Sequence, residues 1–142
     1  MAFLAGDVKV VVNNVNLSDQ AFSVDTPQEK DQVDVSTFSP TGARNFLPGI
    51  MDQTITVGFR QNFASGKVHA TIEPLFRGGS SFPVFVQADS DAGTSATNPV
   101  YGGTAQCFSY NGLNGSLNDS VDIEVEFKPA PGATFTWGTV AP

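Results

Sequence analysis

The chain has 142 residues, 40% of them hydrophobic and 11% aromatic, enough material for one buried core, and it reads as one domain over residues 1–142. Fourteen acidic residues against seven Lys and Arg give a net charge of −7. That balance excludes a protein that grips nucleic acid, because affinity for phosphates comes from Lys and Arg that displace counterions. The lone Cys107 excludes an intrachain disulfide.

Fourteen Gly, nine Pro and twelve Phe, with many Thr, Val and Asn, suit an all-β protein with numerous turns. The opening Met-Ala-Phe-Leu-Ala-Gly-Asp has neither a basic n-region nor a long apolar run, so the expectation is synthesis in a cytoplasm and no membrane insertion by this chain. Asp7 to Asn13 predicts a first strand turned by Asn13-Asn14, and Gln20 to Asp25 a second with Phe22 and Val24 facing inward. Pro27 to Asp31 reads as a loop. Gln32 to Phe38 alternates again, with Val33 and Val35 on one side.

From Ser39 to Gly49 the chain carries two Pro, two Gly and no periodicity, which predicts a long loop. Loops of that length in compact domains are functional or disordered, and Phe46, Leu47 and Ile50 at its end are more than an inert linker needs. Gln53 to Phe59 is the clearest central strand, with Ile55, Val57 and Phe59 pointing one way. A helix follows from Ser65 to Gly78-Gly79, its Val68, Ile72, Leu75 and Phe76 on one face, with Pro74 expected to kink or shorten it.

Ser81 to Ala88 predicts a further strand, Asp89 to Pro99 a polar loop, Gly103 to Tyr110 and Leu117 to Lys128 a hairpin, and Thr134 to Trp137 a short final strand. The hairpin's second strand alternates strictly. Val121, Ile123, Val125 and Phe127 share one face, and Asp122, Glu124 and Glu126 the other, a row of carboxylates with no basic residue until Lys128. The resulting architecture is mainly β, a single-domain sandwich or flattened barrel of about seven or eight strands with one flanking α-helix.

Candidates for chemistry are few. His69 is the only histidine and sits at the edge of the helical stripe, where it reads as a boundary residue, and Cys107 reads as a small core residue of a strand. One His and one Cys cannot supply a four-ligand zinc site. Asp89-Ser-Asp-Ala-Gly93 begins like a calcium loop but lacks the third acidic ligand and the closing Glu. Asp122, Glu124 and Glu126 could pair as in glycosidases, but no aromatic platform accompanies them. The expectation is no enzyme, no cofactor and no metal.

The residue order resembles the major tail tube proteins of long-tailed, siphovirus-type bacteriophages. The likeness is carried by Asp-Gln-Val-Asp-Val-Ser-Thr-Phe-Ser-Pro-Thr-Gly-Ala-Arg44, by Leu-Pro-Gly-Ile-Met-Asp-Gln-Thr-Ile-Thr-Val-Gly-Phe59, by Phe82-Pro-Val-Phe-Val86, by Asn98-Pro-Val-Tyr101 and by the closing Leu117 to Phe127 with its terminal Trp strand. It implies hexameric rings whose inner sheets join into one ring barrel, stacked into a tube in the virion tail through which double-stranded DNA passes without specific binding. It also implies a tape-measure protein, a tail terminator and distal tail proteins as partners, and assembly in the host cytoplasm. Under that resemblance Asp122, Glu124 and Glu126 are candidates to line the lumen, with Asp31, Asp34 and Asp52 next. The segment holding Phe38, Arg44, Phe46, Leu47 and Ile50 would reach from ring to ring, the alternative being that Phe46 and Leu47 tuck onto their own core. Because the sequence runs only a few residues past Trp137, the expectation is that the immunoglobulin-like outer domain of some relatives is absent. Two other readings stay open: a single-ring terminator, neck or distal tail component, and a carbohydrate-binding β-sandwich.

Overall fold

The computed structural model describes residues 8–37, 42, 44–88, 93–113 and 121–139. In chain order the elements are β1 (Lys9–Val12), β2 (Val15–Asn16), β3 (Ala21–Asp25), β4 (Gln28–Asp34), β5 (Phe46–Gln53), β6 (Ile55–Arg60), α1 (Val68–Gly78), β7 (Phe82–Gln87), β8 (Val100–Tyr110), β9 (Asp122–Pro129) and β10 (Thr136–Gly138). The architecture is mainly β with one helix, as expected. Eight strands form one antiparallel sheet in the order β2-β1-β7-β8-β9-β6-β3, with β10 added to β8, and β4 with β5 forms a separate two-stranded sheet. The order has two ends, β2 and β3, so the sheet does not close on itself among the described residues.

Strand β8 joins the two halves of the main sheet. Its first half pairs with β7 along Val100–Ala105 and with β10 at Val100, Tyr101 and Gly102, and its second half pairs with β9 from Ala105 onward. The inward residues of both halves then meet in one cluster: Val10 and Val12 of β1, Val84 and Val86 of β7, Ile55, Val57 and Phe59 of β6, and Ile123, Val125 and Phe127 of β9. Phe82 and Phe127 meet edge to face across it at 5.8 Å, a favoured geometry for aromatic pairs. Tyr101 is fully buried against Phe135. At one rim Val8, Val24, Val86 and Trp137 line a common groove, which brings the β3 end of the sheet near β1 and β7 and gives the fold its sandwich form.

The helix packs against β8 and contributes Val68 and Ile72 to the core. It starts at Val68, three residues after the expected Ser65, and Lys67 at its N-cap makes no side-chain capping bond. Gly79 ends it in the left-handed conformation at φ 68°, donating its N–H to the Leu75 carbonyl. The helix continues through Pro74, where the unmade bond falls on the exposed face shared by Ala70 and Pro74. Leu75 is half-buried and Phe76 is exposed, so the apolar stripe is narrower than its spacing predicts.

Three expectations are corrected. Pro27 to Asp31 is not a loop: from Gln28 onward it is the first half of strand β4, and the aperiodic stretch ending at Gly49 contains the start of strand β5. Phe22 is not inward: a bulge between Ala21 and Ser23 turns it outward and leaves it 48% exposed, with Val24 half-buried. The first four residues of the loop expected over Asp89 to Pro99, 89–92, and residues 114–120, which include the start of the strand expected from Leu117, lie outside the described residues.

One backbone position holds the two halves in register. Gly102, at φ 153°, lies against β7 so closely that a Cβ there would stand 1.9 Å from the Val84 carbonyl oxygen. Only glycine allows both that conformation and that approach. The expected outcome for Gly102→Ala is a loss of about 4 kcal/mol or more in urea unfolding. Gly78→Ala, at the helix end with open space around it, is expected to be neutral or stabilising by up to about 1 kcal/mol.

Candidate functional site: a hairpin arm and an acidic sheet face

Strands β3 and β6 pair within the main sheet, and β4 and β5 continue the same hairpin beyond it. The register runs from Asp25↔Thr56 through the bond donated by the Thr54 N–H to the Pro27 carbonyl, 3.2 Å, to Gln28↔Gln53. The upper half is an arm that leaves the body. Every residue of β4 is exposed, as is every residue of β5 except Gln53. With a rise of about 3.3 Å per residue the seven residues of β4 carry the arm roughly 20 Å outward.

The arm shows apolar side chains on both faces. Directly opposed residues of an antiparallel pair share a face, so Val33 with Leu47 marks one side, and Phe46, Pro48 and Met51 mark the other opposite Asp34, Gln32 and Lys30. A bulge opposite Asp31 absorbs one extra residue of β5, where a Cβ on Gly49 would stand 3.0 Å from the Asp31 Cβ and Ile50 stands 80% exposed. Pro48 can sit in this strand because the pair has free outer edges that need no donor. A lone two-stranded hairpin is marginally stable in water, and this one leaves Phe46 and Leu47 about half exposed. Phe46 and Leu47 therefore do not tuck onto their own core. Phe38 lies outside the described residues.

Local polar contacts shape the tip. The Asn45 N–H donates to the Ser36 Oγ at 2.8 Å, and the Ser36 N–H donates to Asp34 Oδ1 at 2.9 Å. The Ser36 hydroxyl and its N–H hold the Asp34 carboxyl below its usual range. Arg44 reaches Asp34 at 4.0 Å across open solvent, a contact worth little by itself.

The root of the arm is Gln53, buried in an otherwise exposed hairpin. Its Nε2 donates to the Phe135 carbonyl at 2.8 Å, and its Oε1 accepts the Phe135 N–H at 3.0 Å. The same Nε2 lies 3.3 Å from the Tyr101 hydroxyl and 3.2 Å from Gln28 Oε1. One carboxamide thus clasps the arm to the backbone of the residue directly before β10. Sequence reasoning passed it over, although Gln53 occupies the next inward position of the period-two series Ile55, Val57, Phe59.

The acidic row lies on the outer face of β9, as the alternation predicts. Ile123, Val125 and Phe127 are buried, Glu124 is exposed, and Asp122 and Glu126 are half-buried. Neighbouring strands change its charge balance. Arg60 of β6 stands opposite Asp122 and pairs with it at 3.2 Å while lying 5.2 Å over the Phe22 ring. Lys128 reaches Glu126 at 3.7 Å and Asp52 at 3.4 Å. The row is therefore partly neutralised, by a cation from the neighbouring strand β6 as well as by the Lys128 at its end. Asp25, opposite Thr56 and in line with Glu126, adds a fourth carboxylate, so the face stays acidic. Asp31 and Asp34 belong to the arm and not to this face, and Asp52 sits at the arm's root.

The remaining titratable groups are structural. His69 Nδ1 lies 2.8 Å from the Tyr110 hydroxyl, which also accepts from Gln61 Nε2 at 3.0 Å. Burial raises the Tyr110 hydroxyl above its ordinary pKa. A cavity of about 400 Å³ beside β1 and β7 is lined by Lys9, Val11, Phe85, Gln87 and Thr94, with no paired acid and base among its described lining residues. No group of metal-binding side chains occurs among the described residues.

The sequence matches no protein-family model, and no curated protein is significantly similar to it. Solved structures share its fold across nearly the whole chain. A chain of the tail of an empty gene transfer agent particle, refined helically with C6 symmetry, superposes with a TM-score of 0.74 at 15% identity, covering 96% of this chain and 98% of that one. A chain of an extracellular contractile injection system's sheath/tube terminator superposes at 0.70 and 14% identity, covering 96% of each. The SPP1 tail tube superposes at 0.70 and 13% identity, covering 99% of this chain and 81% of that one. The chain therefore has a tail-tube-like fold.

Two outcomes are expected. Gln53→Leu leaves the buried N–H and carbonyl of Phe135 without partners, which costs about 2–4 kcal/mol in denaturant unfolding. Burial pushes the Cys107 thiol up to about 11, with the nearby Glu126 carboxylate adding to it. At pH 8 the thiolate population is then roughly a hundredth of that of an ordinary thiol, so native protein is expected to react with a chromogenic disulfide about a hundredfold more slowly than urea-unfolded protein.

Proposed function

We propose that this chain is a structural protein of a phage-type tail tube, which self-assembles into six-membered rings stacked head to tail around a channel for DNA ejection. The observation that carries the reading is the apolar two-faced arm projecting from a body with a tail-tube-like fold. Such an arm is unstable alone and gains its stability by burial against other copies. The sheet edges at β2 and β3, open among the described residues, support the same reading, because joining copies edge to edge would pair them. An arm at one end that docks on another copy makes a heterologous contact, which extends as a filament.

The outer face of β9, β6 and β3 is our candidate for the lumen wall. Asp25, Asp122, Glu124 and Glu126 outnumber Arg60 and Lys128 there, and each cation is engaged by a carboxylate. Such a wall repels a phosphate backbone and has no free cluster of cations to slow it. In this role the chain is a virion tail component assembled in the host cytoplasm, it needs no cofactor or catalytic group, and it meets a tape-measure protein, a terminator and distal tail proteins. The siphovirus type rests on the sequence resemblance.

A second reading, a single-ring terminator, has its own support in the likeness to a terminator structure. Negative-stain electron microscopy of purified protein over a range of concentrations separates the two. Stacked rings with a central channel are expected; closed single rings would favour the terminator, and persistent monomers would remove both. Arg44→Glu with Phe46→Ser is expected to give a folded monomer that cannot lengthen a tube, and tubes like the wild type's from that variant would sink the role given to the arm. Glu124→Lys with Glu126→Lys is expected to leave tubes intact but make them retain double-stranded DNA, in a manner reversed by salt.

A further inference from the structure

We infer that the arm of one copy docks on a specific acceptor surface of a second copy: the aromatic cluster of Phe63, His69, Phe76 and Tyr110, edged by Leu113. The inference rests on the tube reading and adds to it the receiving side. The arm leaves the body at the Ile55 end of β6. The cluster lies at the Arg60 end of the same strand.

Several contacts fix that position. Gln61, directly after β6, donates from Nε2 to the Gly112 carbonyl at 2.6 Å and to the Tyr110 hydroxyl. The His69 N–H, in the first turn of the helix, donates to the Asn62 carbonyl at 3.2 Å. Rings then follow one another, Phe63 to His69 at 4.9 Å, His69 to Tyr110 at 6.0 Å, and Tyr110 to Phe76 at 6.4 Å. Phe63 is 60% and Leu113 74% exposed, although both sit beside this hydrogen-bonded frame. The frame keeps the patch in one shape, which suits a preformed binding surface.

Polarity and charge single out the arm as occupant. Head-to-tail growth requires complementary surfaces at opposite ends of one molecule, and the arm and this cluster are apolar surfaces at the two ends of β6. The arm carries Glu29, Asp31, Asp34 and Asp52 against Lys30 and Arg44. The acceptor end holds Arg60, Lys67 and Arg77, three of the chain's seven basic residues, each balanced by one carboxylate: Asp122, Asp19 and Glu73. In a chain of net charge −7, an end without net negative charge among its described residues is where an acidic arm meets least repulsion.

The test places the photo-crosslinker benzoylphenylalanine at the exposed Ile50 and maps adducts in assembled protein by mass spectrometry. Adducts to peptides containing Phe63, Phe76 or Leu113, in a ladder of dimers, trimers and higher multiples, are the expected result. Tubes that form normally while Ile50 links only to other parts of the chain would overturn the acceptor and leave the tube reading standing. Wild-type protein that never assembles would remove the tube reading and the acceptor with it. Independently, Leu113→Glu is expected to raise the concentration needed for tubes about tenfold while leaving the thermal unfolding of the monomer unchanged. Tubes at the wild-type concentration would count against the acceptor.

Discussion

The bond pair between the Gln53 carboxamide and the Phe135 backbone decides how the arm is presented. A long hairpin that leaves its sheet is free to swing about the point where body pairing ends, here the Thr26-Pro27 and Thr54 positions. The carboxamide imitates one more backbone bridge at that point, linking the arm to a strand from the far end of the sequence. Because the site is buried beside Tyr101, the two bonds act where water cannot compete for them, and breaking either leaves a buried group unpaired. The arm's direction is therefore fixed by the core and not by the arm's own marginal pairing.

The body supplies what that clasp needs, through β8. An eleven-residue strand paired with β7 and β10 at one end and with β9 at the other makes both halves of the sheet share one core. Tyr101 and Gly102 sit side by side at its start: Tyr101 meets Gln53 and packs on Phe135 and Trp137, and Gly102 lets β7 approach. The same short stretch thus sets the sheet register and the floor under the arm.

This division explains what was legible in the sequence. The β6 and β9 strands show strict alternation because one face is buried and the other wet, and the acidic row of Asp122, Glu124 and Glu126 followed from that pattern alone. The helix was legible from Val68 and Ile72. The arm was not. Gln28 to Gln32 is polar at every position, and Phe46 to Met51 is apolar at nearly every position, so neither has a period of two. Alternation reports a single buried face, and an arm exposed on both sides in the isolated chain has none. Register with the partner strand makes these residues β, and that is non-local information. Phe22 failed for a related reason, since a bulge changes which face a residue takes without changing the sequence pattern.

The cations of the acidic face are the less obvious half of its design. A surface of carboxylates alone would repel itself across a ring of copies as well as repelling a polyanion. Arg60 and Lys128 relieve that strain locally, Arg60 held between Asp122 and the Phe22 ring and Lys128 between Glu126 and Asp52. Both pairs are partly solvated, so each contributes little to stability. Their effect is on placement: a guanidinium held by a carboxylate and an aromatic ring is less available to bridge a phosphate than one on a free stem. Glu124, exposed between them, keeps the net sign negative. In the proposed tube, a wall built this way would combine low self-repulsion with low affinity for phosphate, which a uniformly acidic wall and a neutral one would each achieve only in part.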